Sequence, residues 1–132
     1  ENKITVLSKK HAKQIRKMLE TVVSEKGTGK LAAVSGYRIA GKTGTVKKAN
    51  AGGYSDDRYV AVFAGMAPAS NPRLAMVVTI NEPKGDIYYG GKVAAPVFSN
   101  VMSGALRLMD IAPDNISDKA VQLARFSTGG NI

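Results

Sequence analysis

The chain has 132 residues, of which 44% are hydrophobic, so it can bury the core of one small domain. It contains no cysteine, which excludes disulfide bonds and metal sites built on cysteine. The formal net charge of +9 suggests an anionic partner, and no run of apolar residues reaches the ~18 needed to span a bilayer.

The first predicted element is a helix over residues 6–26, with Ser8 as its N-cap residue and Gly27-Thr28-Gly29 at its end. His11 is the only histidine and lies among lysines on the first turn, so we expect a surface residue with no acid-base or metal role. Apolar residues recur at helical spacing along a face that we expect to pack inward: Ala12, Ile15, Met18, Leu19, Val22 and Val23.

Three strands are predicted next, over residues 37–46, 59–67 and 74–81. The short connection between the second and third favours an antiparallel hairpin, and we expect the first strand beside the second. The near-continuous apolar character of residues 60–63 and 74–78 predicts a sheet covered on both faces. Asp56, Asp57 and Arg58 are placed in a polar loop and interpreted as solvated, since no third metal ligand follows at a suitable spacing.

A second long helix is predicted over residues 92–109, opened by Gly90-Gly91 and with Pro96 in its first turns, where proline is tolerated. Residues 110–113 are expected to end it, and residues 116–132 are interpreted as an extended or disordered tail. The predicted fold class is therefore α+β, an antiparallel sheet of three strands flanked by helices. We expect one apolar stripe of the last helix to be buried, and it consists of Val93, Val97, Val101, Ala105 and Leu108.

The most informative short motif is Lys42-Thr43-Gly44-Thr45, which lies in the first predicted strand. An ammonium group supplies positive charge, two hydroxyls donate hydrogen bonds, and a glycine lets a ligand approach the backbone. Because side chains alternate along a strand, Thr43 and Thr45 point to one face and Lys42 to the other. The motif predicts an anion-binding wall, and a Lys-Thr-Gly triplet is also one of the three signatures of serine β-lactamases and penicillin-binding proteins.

Four ordered segments make the match more specific: residues 36–45, 59–69, 73–83 and 88–98. In order and spacing they resemble the class B penicillin-binding proteins, and in particular the division-specific peptidoglycan D,D-transpeptidases. The resemblance covers residues 8–115, so we expect residues 1–115 to be the C-terminal portion of a transpeptidase domain.

The resemblance also implies two motifs that this chain lacks. The family carries its nucleophile in Ser-x-x-Lys and a second serine in Ser-x-Asn, and no serine of this sequence has either pattern. We therefore expect that the chain begins within a domain and that the remainder of the domain, with the nucleophile, lies outside it. A membrane anchor would also lie outside it and would place the enzyme on the periplasmic side of the inner membrane.

The resemblance assigns roles in the site by position. Lys42 and the backbone N–H of Thr45 are expected to be catalytic. The expected contacts to peptidoglycan stem peptides or β-lactam inhibitors are Thr43, Gly44, Thr45, Lys47, Tyr59, Tyr88 and Tyr89. No cofactor and no metal is implied, and the implied protein partners are those of the division complex. For Tyr59 and Tyr88, ordinary aromatic packing at a strand end or in a loop is an equally good interpretation.

Two alternatives remain open from the sequence. One is a fragment of a β-lactamase or β-lactam sensor, against which residues 94–98 argue because they match the penicillin-binding proteins. The other is a basic module for an anionic polymer. Nucleic acid is not favoured, because no aromatic residues interleave with the basic residues of the first helix.

Overall fold

The computed structural model describes residues 4–50 and 52–116. Helix α1 and a short 3-10 turn precede a three-stranded sheet, and two helices follow it. The elements in chain order are α1 (Lys9–Thr21), the 3-10 turn (Lys30–Ala32), β1 (Ala40–Asn50), β2 (Gly53–Ala67), β3 (Leu74–Asn81), α2 (Gly90–Val93) and α3 (Ala95–Leu108).

The sheet has the order β1-β2-β3, and both neighbouring pairs are antiparallel. Lys42 lies opposite Ala64, and Thr45 lies opposite Ala61. The predicted antiparallel arrangement and the bounds of the third strand are confirmed. β1 therefore forms one edge of the sheet within the described residues.

The bounds of the first two strands were predicted incorrectly. β1 begins at Ala40 rather than at residue 37 and continues to Asn50, and β2 begins at Gly53 rather than at residue 59. The stretch expected to be a turn-rich loop is thus an extended two-stranded arm, and Asp57 and Arg58 lie within β2. The sequence did not reveal the arm, because the arm residues whose burial the structure describes are exposed or half-buried and show no apolar alternation.

The core lies between the sheet and α3. Phe63 of β2 and Phe98 of α3 are fully buried, with ring centroids 4.8 Å apart and ring planes at 64°. An edge-to-face aromatic pair of this kind adds to the free energy gained from the buried area alone. Four residues of α3 are buried: Ala95, Phe98, Met102 and Leu106.

The prediction of which apolar stripe is buried on the last helix was wrong. Val97 and Val101 are 40% and 52% exposed, and Leu108 is 89% exposed. The helix carries two adjacent apolar stripes, and the one with Phe98 and Met102 removes more apolar surface from water when it faces the sheet. The helix is also interrupted at Ala94, because Pro96 cannot donate the backbone hydrogen bond that would continue α2 into α3.

Helix α1 does not bury the face expected to pack inward. Its N-cap is Ser8 as predicted, since the Ser8 hydroxyl accepts from the backbone N–H of exposed His11 at 3.2 Å. The helix has no buried residue, and Ile15 and Met18 are 43% and 66% exposed. It packs mainly against β1, so a second covered face of the sheet is not complete in the described residues.

The range predicted for the first helix, residues 6–26, was too long, although the predicted N-cap marks the observed start. α1 begins at Lys9 and stops at Thr21, and the chain then turns so that Gly29 N–H donates to the carbonyl of Val22 at 2.8 Å. The run of Thr21, Val22 and Val23 is β-branched, and such residues lose side-chain freedom in a helix. Of the predicted tail, residues 117–132 lie outside the described residues.

A clasp formed by Asp114 holds the start of β1. One carboxylate oxygen of Asp114 accepts from Arg38 N–H at 2.7 Å and the other from Ser70 N–H at 3.0 Å. Burial alone would raise the pKa of Asp114, but the hydrogen bonds from Arg38 and Ser70 and the charge of Arg38 outweigh it and lower this pKa. The Arg38 guanidinium also pairs with Glu20 through two hydrogen bonds of 2.9 and 3.0 Å, which ties β1 to α1.

Candidate active site

The two faces of β1 carry different chemistry. Thr43 and Thr45 lie opposite the buried residues Phe63 and Ala61 and share the face covered by α2 and α3. Together with residues 28 and 89–92 they line a cavity of about 310 Å³, called here the threonine cavity. Its lining residues are Thr28, Thr43, Thr45, Tyr89, Gly90, Gly91 and Lys92.

Three hydroxyls are fixed in this cavity. The Thr28 and Thr43 hydroxyl oxygens lie 3.0 Å apart, within hydrogen-bond distance. The Thr45 hydroxyl oxygen accepts from the backbone N–H of Gly90 at 3.1 Å. Because a hydroxyl has one hydrogen to donate, accepting from Gly90 directs that hydrogen of Thr45 away from Gly90 and makes it available to an anion.

Two glycines allow the wall of the cavity to sit directly on β1. A Cβ atom at Gly90 would collide with the carbonyl oxygens of Gly44 and Val62, and one at Gly91 would collide with the carbonyl oxygen of Thr28. These obstacles are backbone atoms, which cannot rotate away as a flexible side chain can. Any side chain at these positions would therefore displace the segment from the strand.

Lys42 does not line the threonine cavity. Its ammonium group donates to the carbonyl of Thr43 at 2.8 Å, and its side chain is exposed on the opposite face of β1. It borders a separate, mostly apolar cavity of about 310 Å³ that is also lined by Leu19, Met66 and Val77. The alternation predicted for the motif thus holds, and it separates the cation from the two hydroxyls.

The three tyrosines singled out in the sequence form one cluster. Tyr59 and Tyr88 are stacked with centroids 3.9 Å apart and planes at 10°, and Tyr88 and Tyr89 follow at 4.6 Å and 30°. The hydroxyls of Tyr88 and Tyr89 lie 3.4 Å apart, and this interaction raises the pKa of Tyr89 above its usual value of 10.0. Of the three tyrosines, Tyr89 is the one that lines the threonine cavity.

An ion pair ties the end of β3 to β1 and β2. Lys48 donates to the Glu82 carboxylate at 2.5 Å, Arg58 lies 3.9 Å from the same oxygen, and Glu82 N–H donates to the Tyr59 carbonyl at 2.9 Å. The hydrogen bond and charge of Lys48 lower the pKa of Glu82. Lys47, another residue expected in the site, is exposed and lies opposite Tyr59 on the neighbouring strand.

Sequence reasoning missed Thr28 and Lys92. The sequence marks Thr28 only as part of a helix stop and Lys92 only as the start of a helix. Neither belongs to the Lys-Thr-Gly motif, and each reaches the cavity through a turn whose path the sequence does not reveal. Within residues 4–50 and 52–116 there is no group of three potential metal-binding side chains and no helix able to cross a membrane.

Residues 1–103 match the family described as penicillin binding protein transpeptidase domain. The chain is 52% identical over 100 residues to the peptidoglycan D,D-transpeptidase FtsI of Escherichia coli, covering 76% of this chain and 17% of that protein. It is 46% identical over 114 residues to FtsI of Buchnera aphidicola, covering 86% of this chain and 20% of that protein. The apo transpeptidase domain of penicillin-binding protein 3 from Burkholderia pseudomallei superposes with a TM-score of 0.76 at 43% identity, covering 84% of this chain and 34% of that one.

The chain belongs to the transpeptidase-domain family of the class B penicillin-binding proteins. Its similarity to relatives named FtsI confirms the resemblance to the division-specific branch, and the structural match confirms the predicted fold class. The chain spans about one fifth of the length of these curated relatives. The matches favour the transpeptidase interpretation over the β-lactamase and polymer-binding alternatives.

Proposed function

We propose that this chain is the carboxylate-binding part of a serine-type peptidoglycan D,D-transpeptidase that cross-links the cell wall at the division septum and is a target of β-lactams. The observation that carries the proposal is the threonine cavity, in a chain whose relatives are named peptidoglycan D,D-transpeptidases. A D-Ala-D-Ala peptide and a β-lactam both present a carboxylate next to the acyl group that is attacked. A wall of fixed hydroxyls suits that carboxylate.

In this proposal the two hydroxyls of Thr43 and Thr45 bind the carboxylate of the ligand. Gly44 between them has no side chain, so the acyl group can lie along the strand. The backbone N–H of Thr45 donates to the carbonyl oxygen of the acyl group and stabilises the oxyanion of the tetrahedral intermediate. Because this donor belongs to a paired strand, its position is set before the ligand arrives.

Lys42 takes a different role, because it lies on the opposite face of β1. We propose that its ammonium group faces the part of the domain that carries the nucleophile and stabilises the charge that develops during proton transfer there. The nucleophile itself must come from outside this chain, which contains neither Ser-x-x-Lys nor Ser-x-Asn. The acyl-enzyme then forms on that serine, with loss of the leaving D-alanine or opening of the β-lactam ring.

In this proposal the rest of the domain packs on the apolar face that the described residues leave open. Ile15 and Val77 are 43% and 65% exposed on the same side of the sheet as Lys42. Burying such side chains stabilises a fold by roughly 25 cal/mol per Å² of apolar surface. Packing of the serine-bearing portion on this face would also bring the nucleophile beside Lys42.

The tyrosine cluster and Lys47 complete the proposed ligand site. Tyr89 borders the cavity, Tyr88 packs against Tyr89, and Tyr59 stacks on Tyr88. Lys47 lies on β1, opposite Tyr59 of β2. The aromatic surface suits an apolar ligand group beside the carboxylate. The proposed location is the periplasmic side of the inner membrane, with an anchor outside this chain and with division-complex proteins as partners.

The test is acylation by a fluorescent penicillin, followed by intact mass. We expect stable acylation of the complete protein and no adduct on the 132-residue chain alone. Lys42→Ala in the complete protein should slow acylation strongly without lowering its melting temperature, whereas Lys10→Ala on the exposed start of α1 should not change the rate. An adduct on the isolated chain, or wild-type acylation by Lys42→Ala, would contradict the proposal.

A further inference from the structure

The threonine cavity is lined by a lysine that does not belong to the Lys-Thr-Gly motif. Among the described residues that line it, the one with a cationic side chain is Lys92. Lys42 lies on the other face of β1, where its ammonium group is held by the Thr43 carbonyl. A carboxylate in the cavity would therefore meet Lys92, rather than Lys42, as the lining cation.

The backbone holds Lys92 in place at the rim. Gly90 and Gly91 lie against β1 and the Thr28 turn so closely that neither position has room for a side chain. The N–H of Lys92 donates to the Tyr89 carbonyl at 2.8 Å, which fixes the turn between the tyrosine and the lysine. The Lys92 side chain itself is exposed, so its ammonium group can reach a ligand without first breaking a buried contact.

We propose that Lys92 is a specificity-determining residue that stabilises the ligand carboxylate bound by Thr43 and Thr45. The inference rests on the proposed function and assigns a counter-charge to its carboxylate site. The hydroxyls donate hydrogen bonds of fixed direction, and the ammonium group adds attraction that does not depend on a single geometry. An acyl donor with a free carboxylate gains from Lys92, and one whose carboxylate is masked does not.

The expected size of the Lys92 contribution follows from the exposure of its side chain to water. A solvent-exposed ion pair changes an equilibrium by about two- to fivefold at most, and dissolved salt screens it over about 10 Å at 0.1 M ionic strength. The contribution of Lys92 should therefore be a few-fold factor in the second-order rate constant of acylation at low salt. It should shrink as the salt concentration rises.

The experiment compares benzylpenicillin with its methyl ester as acylating agents of the complete protein. For benzylpenicillin at low salt we expect Lys92→Met to lower the second-order rate constant about two- to fivefold. Lys92→Arg should restore most of the loss, because it keeps the charge. With the methyl ester, wild type and Lys92→Met should react equally. Lys10→Met, which removes the same charge from α1, should leave both rates unchanged.

Several results would overturn the inference. They are a Lys92→Met rate equal to wild type with benzylpenicillin, an equal loss with the methyl ester, or no restoration by Lys92→Arg. Each leaves the proposed function intact, because the wild-type protein is still acylated. Absence of acylation in the wild type would instead overturn the proposed function, and this inference with it.

Discussion

The two faces of strand β1 differ in how much of their surroundings this chain provides. On the threonine face, α2 and the tyrosine loop are already packed, and Gly90 holds the Thr45 hydroxyl oxygen. On the lysine face, Lys42 borders an apolar cavity, and Val77, which lines the same cavity, remains largely exposed. Within the described residues, β1 thus has a packed face beside the threonine hydroxyls and a more open apolar face beside Lys42.

The comparison shows how one strand can present different functional groups on its two faces, hydroxyls on one and an ammonium group on the other. In the proposed function the threonine hydroxyls bind a carboxylate, and contacts with Thr28 and Gly90 hold them in place before a ligand arrives. In the same proposal Lys42 acts on a nucleophile that packs beside it, and the apolar surface on its face of β1 is open to such a contact. Three predictions test this difference, beginning with the largest expected effect.

Phe98→Ala should disrupt the packed side of the sheet. Phe98 is fully buried against Phe63, and truncation of a buried phenylalanine costs about 3–5 kcal/mol of stability. Val97→Ala, one residue earlier on the same helix, should cost under about 1 kcal/mol because Val97 is 40% exposed. Urea unfolding of the complete protein measures both, and equal losses would show that this side is not the core.

Thr45→Pro should slow acylation of the complete protein by about a hundredfold, because removing one oxyanion donor costs ~3 kcal/mol of transition-state stabilisation. Thr45→Val is the matched variant, since it keeps the backbone N–H and loses the hydroxyl, and its loss should be smaller. Single-turnover kinetics with a chromogenic β-lactam measure both. A Thr45→Pro protein that remains folded by circular dichroism and acylates normally would exclude the assigned oxyanion donor.

Asp114→Asn should weaken the clasp at the start of β1. We expect a loss of about 1 kcal/mol, below the ~1.5–3 kcal/mol typical of hydrogen bonds to a charged group, because the carboxylate is partly exposed to water. Since the folded-state pKa of Asp114 lies below its usual value of 3.8, its contribution is fully present above about pH 4. It is lost as the pH falls through the folded-state pKa. Melting temperatures at pH 7 and pH 3 should therefore differ less in the variant than in the wild type.

Part of the fold could be predicted from local pattern. β3 was predicted with its observed bounds because a proline-bounded apolar run has few other structures available. The β1–β2 arm was missed because its polar residues carry no alternation. The buried stripe of α3 was assigned to the wrong valines, since two apolar stripes lie side by side and only packing against Phe63 distinguishes them.

The candidate site, like the fold, could be predicted from the sequence only in part. The period of two along a strand places Thr43 and Thr45 together and Lys42 apart, and the structure has this arrangement. Thr28 and Lys92 could not be predicted, because they are 15 residues before Thr43 and 47 residues after Thr45 in the printed sequence. They reach the cavity through turns that only long-range contacts define.

The sequence by itself therefore determined the motif, the family and the alternation of chemistry along β1, because these depend on residue type and on the fixed geometry of a strand. The tertiary structure decided which apolar stripe is buried, which tyrosine borders the cavity, and which lysine shares it with the threonines. Those choices depend on the packing of segments far apart in the chain, where the burial of Phe98 and the close approach of Gly90 and Gly91 outweigh local preference.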